Sequence, residues 1–356
     1  MSTSPTTPPP LGRPAPTGPA GSPGAAGADR PVADDGTGPV RRLVVPSGEG
    51  GLAALFDALP LRARLEALGH LTVHLDEPDE DALVDRVAGA DVVLLSTHLT
   101  DRALRAVAPH ALVAFTGTGV ASYVDLPLAR ELGVTVTNVT GYGDRAVAEH
   151  ALALLLAAAR GIPAADTAVR RGDWAGFPGR ELAGATVGVL GLGGIGRTFA
   201  AMVHALGMHV LGWDRSADAA VLDALGAHRA ADLAEVFATA DVVSLHLPLT
   251  PQTRHLVGAA ELDLLRPGAI LVNTARGELL APGALAARLA RGDVVAALDV
   301  FAPEPLDPAD PLLSAPGTVL TPHLGFRTPQ ALARMAEGCV GAVEAFCAGA
   351  PVRVVT

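Results

Sequence analysis

Three ionisable residues have the types and positions that reduction of a carbonyl group requires. Arg276, Glu304 and His323 each follow a short apolar run, and these runs end at residues 272, 298 and 320. A planar guanidinium can bind a carboxylate through two hydrogen bonds and polarise the neighbouring carbonyl. An imidazole can donate a proton to the developing alkoxide, and a carboxylate bonded to the ring orients it and favours its protonated form. Together the three residues suit hydride transfer to a 2-keto acid.

Each of the three residues also has a simpler interpretation when it is taken alone. An arginine after a strand often forms a surface ion pair, and a histidine there is often a hydrogen-bonded loop residue. Glu304, between Pro303 and Pro305, could be an ordinary polar loop residue. The catalytic interpretation is favoured because the three follow a sequence typical of dinucleotide binding.

That sequence is G-L-G-G-I-G at residues 191–196, between an apolar run and a helical pattern. Gly191 permits a tight turn, Gly193 lets the backbone approach a pyrophosphate, and Gly196 lets helix and strand pack closely. The helix N-terminus then faces the anion. Without their context, these glycines could merely join a strand to a helix.

Asp214 ends the next predicted strand, 18 residues after Gly196. A carboxylate at this point accepts hydrogen bonds from the adenosine ribose and repels a 2′-phosphate. The sequence therefore predicts NAD rather than NADP, although the adjacent Arg215 weakens this preference.

Two series of predicted strands position these residues. Short runs alternating with helical patterns indicate an α/β protein with two doubly wound parallel sheets and a ligand cleft between them. The first series is predicted at residues 41–45, 71–75, 91–95, 112–115 and 134–137, and the second at 186–190, 209–213, 242–245, 269–272, 294–298 and 318–320. Long helices are predicted at residues 145–160, 197–206 and 329–348.

Composition excludes several classes of function. The chain has 356 residues and a net charge of −11, which argues against nucleic-acid binding. No apolar run approaches the ~20 residues of a membrane span, and no secretory signal is evident, so a cytoplasmic protein is expected. Cys339 and Cys347 do not match a metal-ligand spacing, and no metal site is predicted. Residues 1–40 contain ten Pro and seven Gly and are expected to be disordered.

From about Val44 to the C-terminus, the chain resembles the D-isomer-specific 2-hydroxyacid dehydrogenases. The motifs that carry the resemblance are residues 147–150, 191–196, 246–250 with Thr253, 273–277, 299–301 with Glu304 and Pro305, and 322–323. The resemblance implies that Arg276, Glu304 and His323 are catalytic, with Glu304 orienting His323. It implies NAD as the cofactor, bound by Gly191, Gly193, Gly194, Ile195, Gly196, Asp214, His246, Pro248, Thr253, Thr274 and Asp299, with Asp299 near the nicotinamide amide.

The resemblance also implies a domain arrangement and an assembly. A Rossmann NAD-binding domain at residues 145–325 would be inserted into a flavodoxin-like substrate domain formed by residues 41–144 and 326–356. The protein would be a homodimer formed through its cofactor domains.

The expected substrate is a small D-2-hydroxy acid or its 2-keto partner. Gly117, Thr118 and Gly119 resemble the family loop whose backbone N–H groups hold the substrate carboxylate. Tyr142 falls where D-lactate dehydrogenases place a substrate-side tyrosine, but it could equally be hinge packing.

Three other substrates of the fold are disfavoured. Phosphoglycerate dehydrogenases usually have Arg where this chain has Phe115, and no regulatory domain is expected after Thr356. Phosphite dehydrogenases use a lysine, and this chain contains none. Formate dehydrogenases have Gln in place of Glu304.

One alternative from a different functional class stays open. Corepressors of the C-terminal-binding-protein type resemble the same family and use NAD(H) to control dimerisation and partner binding. The Pro-rich head would suit such a regulator. NADH-dependent protein partners without any turnover would favour this alternative.

Overall fold

The computed structural model describes residues 41–48, 51–174, 176, 178–216 and 219–356. The predicted disordered head, residues 1–40, lies outside the described residues. The described chain is built on two parallel β-sheets, so the predicted α/β class with two doubly wound sheets is confirmed.

The first sheet has five strands in the order β2-β1-β3-β4-β5. All its neighbouring pairs are parallel. Strands such as β3 are buried along their whole length, which matches a parallel sheet covered on both faces. The strands are Arg42–Val45 (β1), His70–Val73 (β2), Val92–Leu95 (β3), Leu112–Phe115 (β4) and Thr135–Thr137 (β5).

The second sheet has seven parallel strands in the order β12-β11-β10-β9-β6-β7-β8. Chain order reverses between β6 and β9, and a doubly wound sheet binds its ligand at the carboxyl ends of the strands flanking such a reversal. The strands are Thr186–Leu190 (β6), His209–Trp213 (β7), Ala227–Arg229 (β8), Val242–Leu245 (β9), Ile270–Asn273 (β10), Val295–Leu298 (β11) and Thr318–Leu320 (β12).

Helices cover both faces of each sheet, and four apolar clusters fill the layers between them. The helices are Leu52–Ala58 (α1), Arg62–Glu66 (α2), Glu80–Val87 (α3), Asp101–Leu104 (α4), Leu126–Glu131 (α5), Asp144–Arg160 (α6), Ile162–Arg170 (α7), Gly194–Ala205 (α8), Ala219–Ala224 (α9), Leu233–Thr239 (α10), Ala259–Asp263 (α11), Ala284–Leu289 (α12) and Pro329–Cys347 (α13).

Two long helices, α6 and α13, each pack on one of the sheets. Helix α6 follows the first sheet in the chain but packs its buried alanines and leucines onto α8 and the second sheet. The final helix, α13, packs on β4 of the first sheet and buries Ala336, Cys339 and Val343 there. The chain therefore leaves the first sheet, builds the second, and returns.

Two differences from the sequence-based expectation bear on the site. Helix α8 begins at Gly194 rather than at residue 197, so the last glycines of the motif lie in its first turn. Strand β8 was not predicted, because it has three residues and two of them, His228 and Arg229, are exposed.

Among the described residues, no single helix has the length and apolar composition needed to cross a bilayer. Only α6 and α7 taken together meet both criteria, and they are bent by 61° relative to one another.

Candidate active site

The glycine loop between β6 and α8 has a backbone that side chains would not permit. Gly191 has a φ of +92°, and a Cβ on it would lie 2.7 Å from the carbonyl oxygen of His246. A Cβ on Gly196 would lie 1.9 Å from the carbonyl oxygen of Gly191. Loop, helix and the end of β9 therefore meet backbone to backbone, as a close-packed nucleotide loop requires.

The start of α8 is open where an anion would bind. A Cβ on Gly193 would meet no described atom within 4 Å, and no side chain caps the helix at this residue. Gly193 and Gly194 are exposed, whereas Ile195 packs partly onto the core. The first-turn N–H groups of a 12-residue helix thus face accessible space, which favours a phosphate ligand.

Asp144, which the sequence analysis did not single out, lies against this helix start. Its Oδ2 would be 1.8 Å from a Cβ on Gly194, so only glycine leaves room for the carboxylate. Burial raises the pKa of Asp144, and Arg334 partly opposes that rise. Asp144 and Gly194 are 50 positions apart in sequence, so no local pattern predicts their contact.

Asp214 lies at the end of β7 and faces the glycine loop. Its carboxylate accepts hydrogen bonds from the Leu192 N–H at 2.7 Å, the Ser216 N–H at 2.6 Å and the Ser216 hydroxyl at 2.9 Å. It borders a cavity of about 620 Å³ that is also lined by Trp213, Arg215, Arg229, Ala230, Ala231 and Glu235. Sequence reasoning missed Arg229 because it missed β8.

His246 lies at the loop, but its ring points inward. The ring packs on Phe199 with centroids 4.9 Å apart, and its Nε2 is 2.9 Å from the Ser244 hydroxyl. Burial lowers the pKa of His246 to about 3. Only its backbone carbonyl reaches Gly191, so a cofactor contact at His246 would come from the backbone. Ser244 is fully buried, and residues two apart on a strand share a face, which is a signal for this orientation.

Two predicted cofactor residues, Thr253 and Thr274, follow β9 and β10. The Thr253 hydroxyl donates to the Pro248 carbonyl at 2.6 Å and so braces its own loop. The buried Thr274 hydroxyl has no hydrogen-bond partner among the described residues. A buried hydroxyl without a partner is costly unless a ligand completes it. Three features fit a bound dinucleotide. They are the unpaired Thr274 hydroxyl, the open space at Gly193 and the close backbone packing around Gly191 and Gly196.

Asp299 is almost fully buried, at 1% exposed, and is surrounded by donors. Burial alone would raise its pKa, but hydrogen bonds from His150, Thr321 and two backbone amides leave the pKa of Asp299 below its usual value. These contacts join β11, β12 and α6. The nicotinamide contact implied by the resemblance stays a prediction.

Glu304 and His323 form a hydrogen-bonded pair at the ends of β11 and β12. His323 Nδ1 lies 2.8 Å from Glu304 Oε2, and Glu304 Oε1 accepts the Phe301 N–H at 2.9 Å. Burial would raise the pKa of Glu304, but the bonds from His323 and Phe301 hold it below its usual value. An ionised Glu304 therefore accepts the hydrogen bond from Nδ1 and orients the imidazole.

Arg276 reaches from the second sheet to the loop after β4. A Cβ on Gly119 would lie 2.1 Å from Arg276 Nη2, so the guanidinium rests directly on the Gly119 backbone. Its Nη1 donates to the Ala275 carbonyl at 2.7 Å. The structure therefore brings Arg276 and the predicted substrate loop together.

The substrate loop itself is held by hydrogen bonds to the segment after β5. The Thr118 hydroxyl donates to the Val139 carbonyl at 2.9 Å, and the Val139 N–H donates to the Gly117 carbonyl at 3.0 Å. Within the described part of the chain, nothing accepts a hydrogen bond from the amides of residues 117–119. These N–H groups are available to a carboxylate.

Tyr142 stands between the two sheets. Its ring is 6.4 Å from that of Phe326, which in turn is 5.7 Å from the His323 ring. Burial raises the pKa of Tyr142 to about 12, although the nearby charge of Arg276 opposes this. Tyr142 therefore remains a neutral phenol beside the charged groups.

The Glu304–His323 pair also borders a cavity of about 390 Å³. It is lined by Phe301, Glu304, Pro305, Leu306, Leu313, Leu320, Thr321, Pro322, His323 and Arg327. Across the described ranges, no group of three His, Cys, Asp or Glu side chains is placed to hold a metal ion.

Comparisons with known proteins identify the family of the chain. Residues 152–325 match the family model for the NAD binding domain of D-isomer specific 2-hydroxyacid dehydrogenases. The chain is 40% identical over 286 residues to glyoxylate reductase of Aeropyrum pernix, covering 76% of this chain and 84% of the relative. The crystal structure of a glyoxylate reductase from Paecilomyes thermophila superposes with a TM-score of 0.79 at 27% identity, covering 89% of this chain and 98% of that one.

The chain is also 37% identical over 273 residues to D-3-phosphoglycerate dehydrogenase of Methanocaldococcus jannaschii, covering 75% of this chain and 51% of the relative. It spans about half the length of the curated phosphoglycerate dehydrogenases it matches. The matched NAD-binding region, the fold and the identity to a relative covered over most of its length lead to one conclusion. The chain belongs to the D-isomer specific 2-hydroxyacid dehydrogenase family and carries that family's NAD-binding domain.

Proposed function

We propose that the protein is an NAD-dependent oxidoreductase that interconverts a small D-2-hydroxy acid and its 2-keto acid. The observation that carries the proposal is the Glu304–His323 pair, with 2.8 Å between Oε2 and Nδ1, at the same sheet edge as Arg276 and the glycine loop. This set combines a proton donor, a carboxylate-binding group and a nucleotide site. NADH, when bound, supplies the hydride.

Each residue has a defined task in reduction. Arg276 and the free amides of residues 117–119 bind the substrate carboxylate, and the guanidinium polarises the adjacent carbonyl. His323 donates the proton on Nε2 to the carbonyl oxygen as negative charge develops there. Glu304 accepts a hydrogen bond from Nδ1 and stabilises the protonated ring. In oxidation His323 takes the proton back.

The substrate side chain is proposed to be uncharged. The described segments after strands of the first sheet, residues 46–48, 96–100 and 116–119, contain no Arg or Lys. A phosphate group would need a cation there. Phe115 is buried beneath Gly117, where a Cβ would lie 2.8 Å from the ring. We therefore propose glyoxylate, pyruvate or a related acid rather than 3-phosphoglycerate.

The proposal includes a preference for NAD over NADP, because Asp214 places a carboxylate at the nucleotide loop. It also includes a homodimer formed through the nucleotide-binding regions and a cytoplasmic location. Light scattering on the purified protein tests the homodimer. The NAD(H)-sensing regulator is not favoured, since the matched relatives are named dehydrogenases and reductases.

The test is NADH oxidation by the purified full-length chain with glyoxylate, pyruvate, hydroxypyruvate, phenylpyruvate, 2-ketoisocaproate, oxaloacetate and 3-phosphohydroxypyruvate, repeated with NADPH. We expect turnover with at least one unphosphorylated acid and faster turnover with NADH than with NADPH. A preference for the phosphorylated acid would overturn the proposed substrate class. Tight NADH binding without turnover on any acid would overturn the proposed activity.

A further inference from the structure

The buried carboxylate of Asp299 holds the loop that carries His323. It accepts hydrogen bonds from the Thr321 hydroxyl at 2.6 Å, the Leu324 N–H at 2.8 Å and the Gly325 N–H at 2.9 Å. These three donors flank His323 on both sides. A buried carboxylate is stable only with such partners, so its position and that of the loop depend on each other.

The same loop holds His323 in an unusual backbone conformation. His323 has a φ of +52°, in the left-handed region, where a non-glycine residue costs roughly 1 kcal/mol. Its N–H donates to the Asp299 carbonyl at 2.8 Å. The backbone conformation at His323 is therefore held by contacts with Asp299 rather than by backbone preference.

One further donor to Asp299 comes from a different element. His150 on α6 places Nε2 at 3.1 Å from Asp299 Oδ1 and at 3.0 Å from the Thr321 hydroxyl oxygen. Because the Thr321 hydroxyl donates its own proton to Asp299, its oxygen is free to accept one from His150. A proton on His150 Nε2 is therefore shared between both groups.

Helix α6 links this contact to the substrate side of the site. Its first residue, Asp144, follows the segment 138–143, which is bonded to the substrate loop through Val139 and Thr118. A continuous path thus runs from the amides of residues 117–119 along α6 to Asp299 and the His323 loop. Such a path fixes the distance between the carboxylate-binding groups and the proton donor.

We propose that His150 is a positioning residue for His323, acting through Asp299 and Thr321. The inference rests on the proposed acid–base role of His323. His150 does not touch the substrate. It holds the imidazole at the distance and angle at which the proton transfer is efficient, and small displacements of such a group cost about 10-fold to 100-fold in rate.

The test compares His150→Leu, which removes the donor, with His150→Gln, whose amide N–H can replace it. The control is Glu149→Gln, a neighbour on α6 whose carboxylate faces outward to Arg145. We expect His150→Leu to lower kcat for the best keto acid by about 10-fold to 100-fold. NADH affinity, measured by fluorescence titration, should change less than about 2-fold, and His150→Gln should recover most of kcat.

A second readout does not need turnover. The ring signal of His323 in an NMR spectrum, assigned by its loss in His323→Ala, should shift its titration midpoint in His150→Leu and return towards the native midpoint in His150→Gln. An unchanged kcat and an unchanged midpoint in a folded His150→Leu protein would overturn the inference. A loss of NADH affinity in His150→Leu as large as its loss of kcat would also overturn it. So would failure of His150→Gln to restore either kcat or the titration midpoint.

The two proposals fail in distinguishable ways. If the native protein reduces no keto acid, the proposed activity fails, while the NMR comparison still decides whether His150 positions His323. If the native protein is active and His150→Leu matches Glu149→Gln in both readouts, only the positioning role fails.

Discussion

The two sheet edges that meet at the site contribute in different ways. The second sheet supplies ionisable side chains, with Asp214, Arg276, Glu304 and His323 each following a strand. The first sheet supplies backbone, since residues 117–119 carry no charge and their amides have no acceptor among the described residues. The chemistry of a side chain is lost when that side chain is truncated. Access to a backbone surface is lost when a side chain is added to it. The two edges should therefore respond to opposite kinds of substitution.

The largest expected effect is on the second edge. His323→Ala should lower kcat by about 100-fold or more, because the proton donor is lost. NADH binding should persist, since the glycine loop and Asp214 remain intact. Steady-state kinetics with a fluorescence titration of NADH measure both quantities. Native turnover in His323→Ala would show that His323 is not the proton donor. The two edges would then not differ in the way described above.

On the edge of the first sheet, the informative substitution adds a side chain to the loop at residues 117–119. In Gly119→Ala the new methyl would collide with Arg276 Nη2, which has to move away from the loop. We expect KM for the keto acid to rise by roughly 10-fold, with NADH affinity unchanged.

Gly341→Ala is the matched control for Gly119→Ala. Gly341 lies within α13, and a Cβ there meets no described atom within 4 Å. A Gly119→Ala enzyme with native KM would show that the loop does not bind substrate through its backbone.

The buried histidine of the second edge should make the protein sensitive to acid. His246 has a pKa of about 3 when folded, against 6.5 for an ordinary histidine. Below pH 6.5 the unfolded chain binds a proton that the folded chain does not, so the free energy of unfolding falls as the pH falls from 6.5 towards 3. One such group contributes about 1.4 kcal/mol per pH unit.

Urea unfolding of the native protein and of His246→Asn at several pH values measures this slope. The variant should have a shallower slope below pH 6.5, whatever its stability at neutral pH. His228→Asn, which changes an exposed histidine on β8, serves as the control and should keep the native slope. Equal slopes in all three proteins would contradict the assignment.

The smallest expected effect concerns Asp144, the first residue of α6, which lies against Gly194 at the start of α8. Asp144 places a carboxylate against the helix start where a pyrophosphate would bind, and like charges repel. Asp144→Asn should therefore bind NADH roughly 3-fold more tightly, and its affinity should depend less on pH, because burial raises the pKa of the native Asp144 carboxyl above its usual range. Isothermal titration measures both. Weaker binding in the variant would mean that the carboxylate accepts a hydrogen bond from the cofactor.

The sequence predicted the second edge better than the first, for a physical reason. The glycine motif, Asp214 and His323 lie directly after strands with strong apolar patterns, so local sequence is enough to place them at one sheet edge. The contact of Arg276 with Gly119 joins residues 157 positions apart, and only the packing of the two sheets creates it.

Contacts between distant segments account for what sequence reasoning missed. His150 lies in a motif that was recognised, but its bond to Asp299 spans 149 positions. The inward orientation of the His246 ring was missed as well, although its spacing of two residues from the buried Ser244 indicates a shared face. Short exposed strands such as β8 lack the apolar signal on which strand prediction depends.

The return of the chain to the first sheet limits how its two halves can move. The chain crosses between them twice, at residues 138–143 and 326–328. A rotation of one sheet relative to the other would therefore be confined to the line through these two links. Tyr142 and Phe326 lie in these crossings with ring centroids 6.4 Å apart. Groups beside that line would keep their spacing in such a rotation, and His323, whose ring lies 5.7 Å from that of Phe326, is among them.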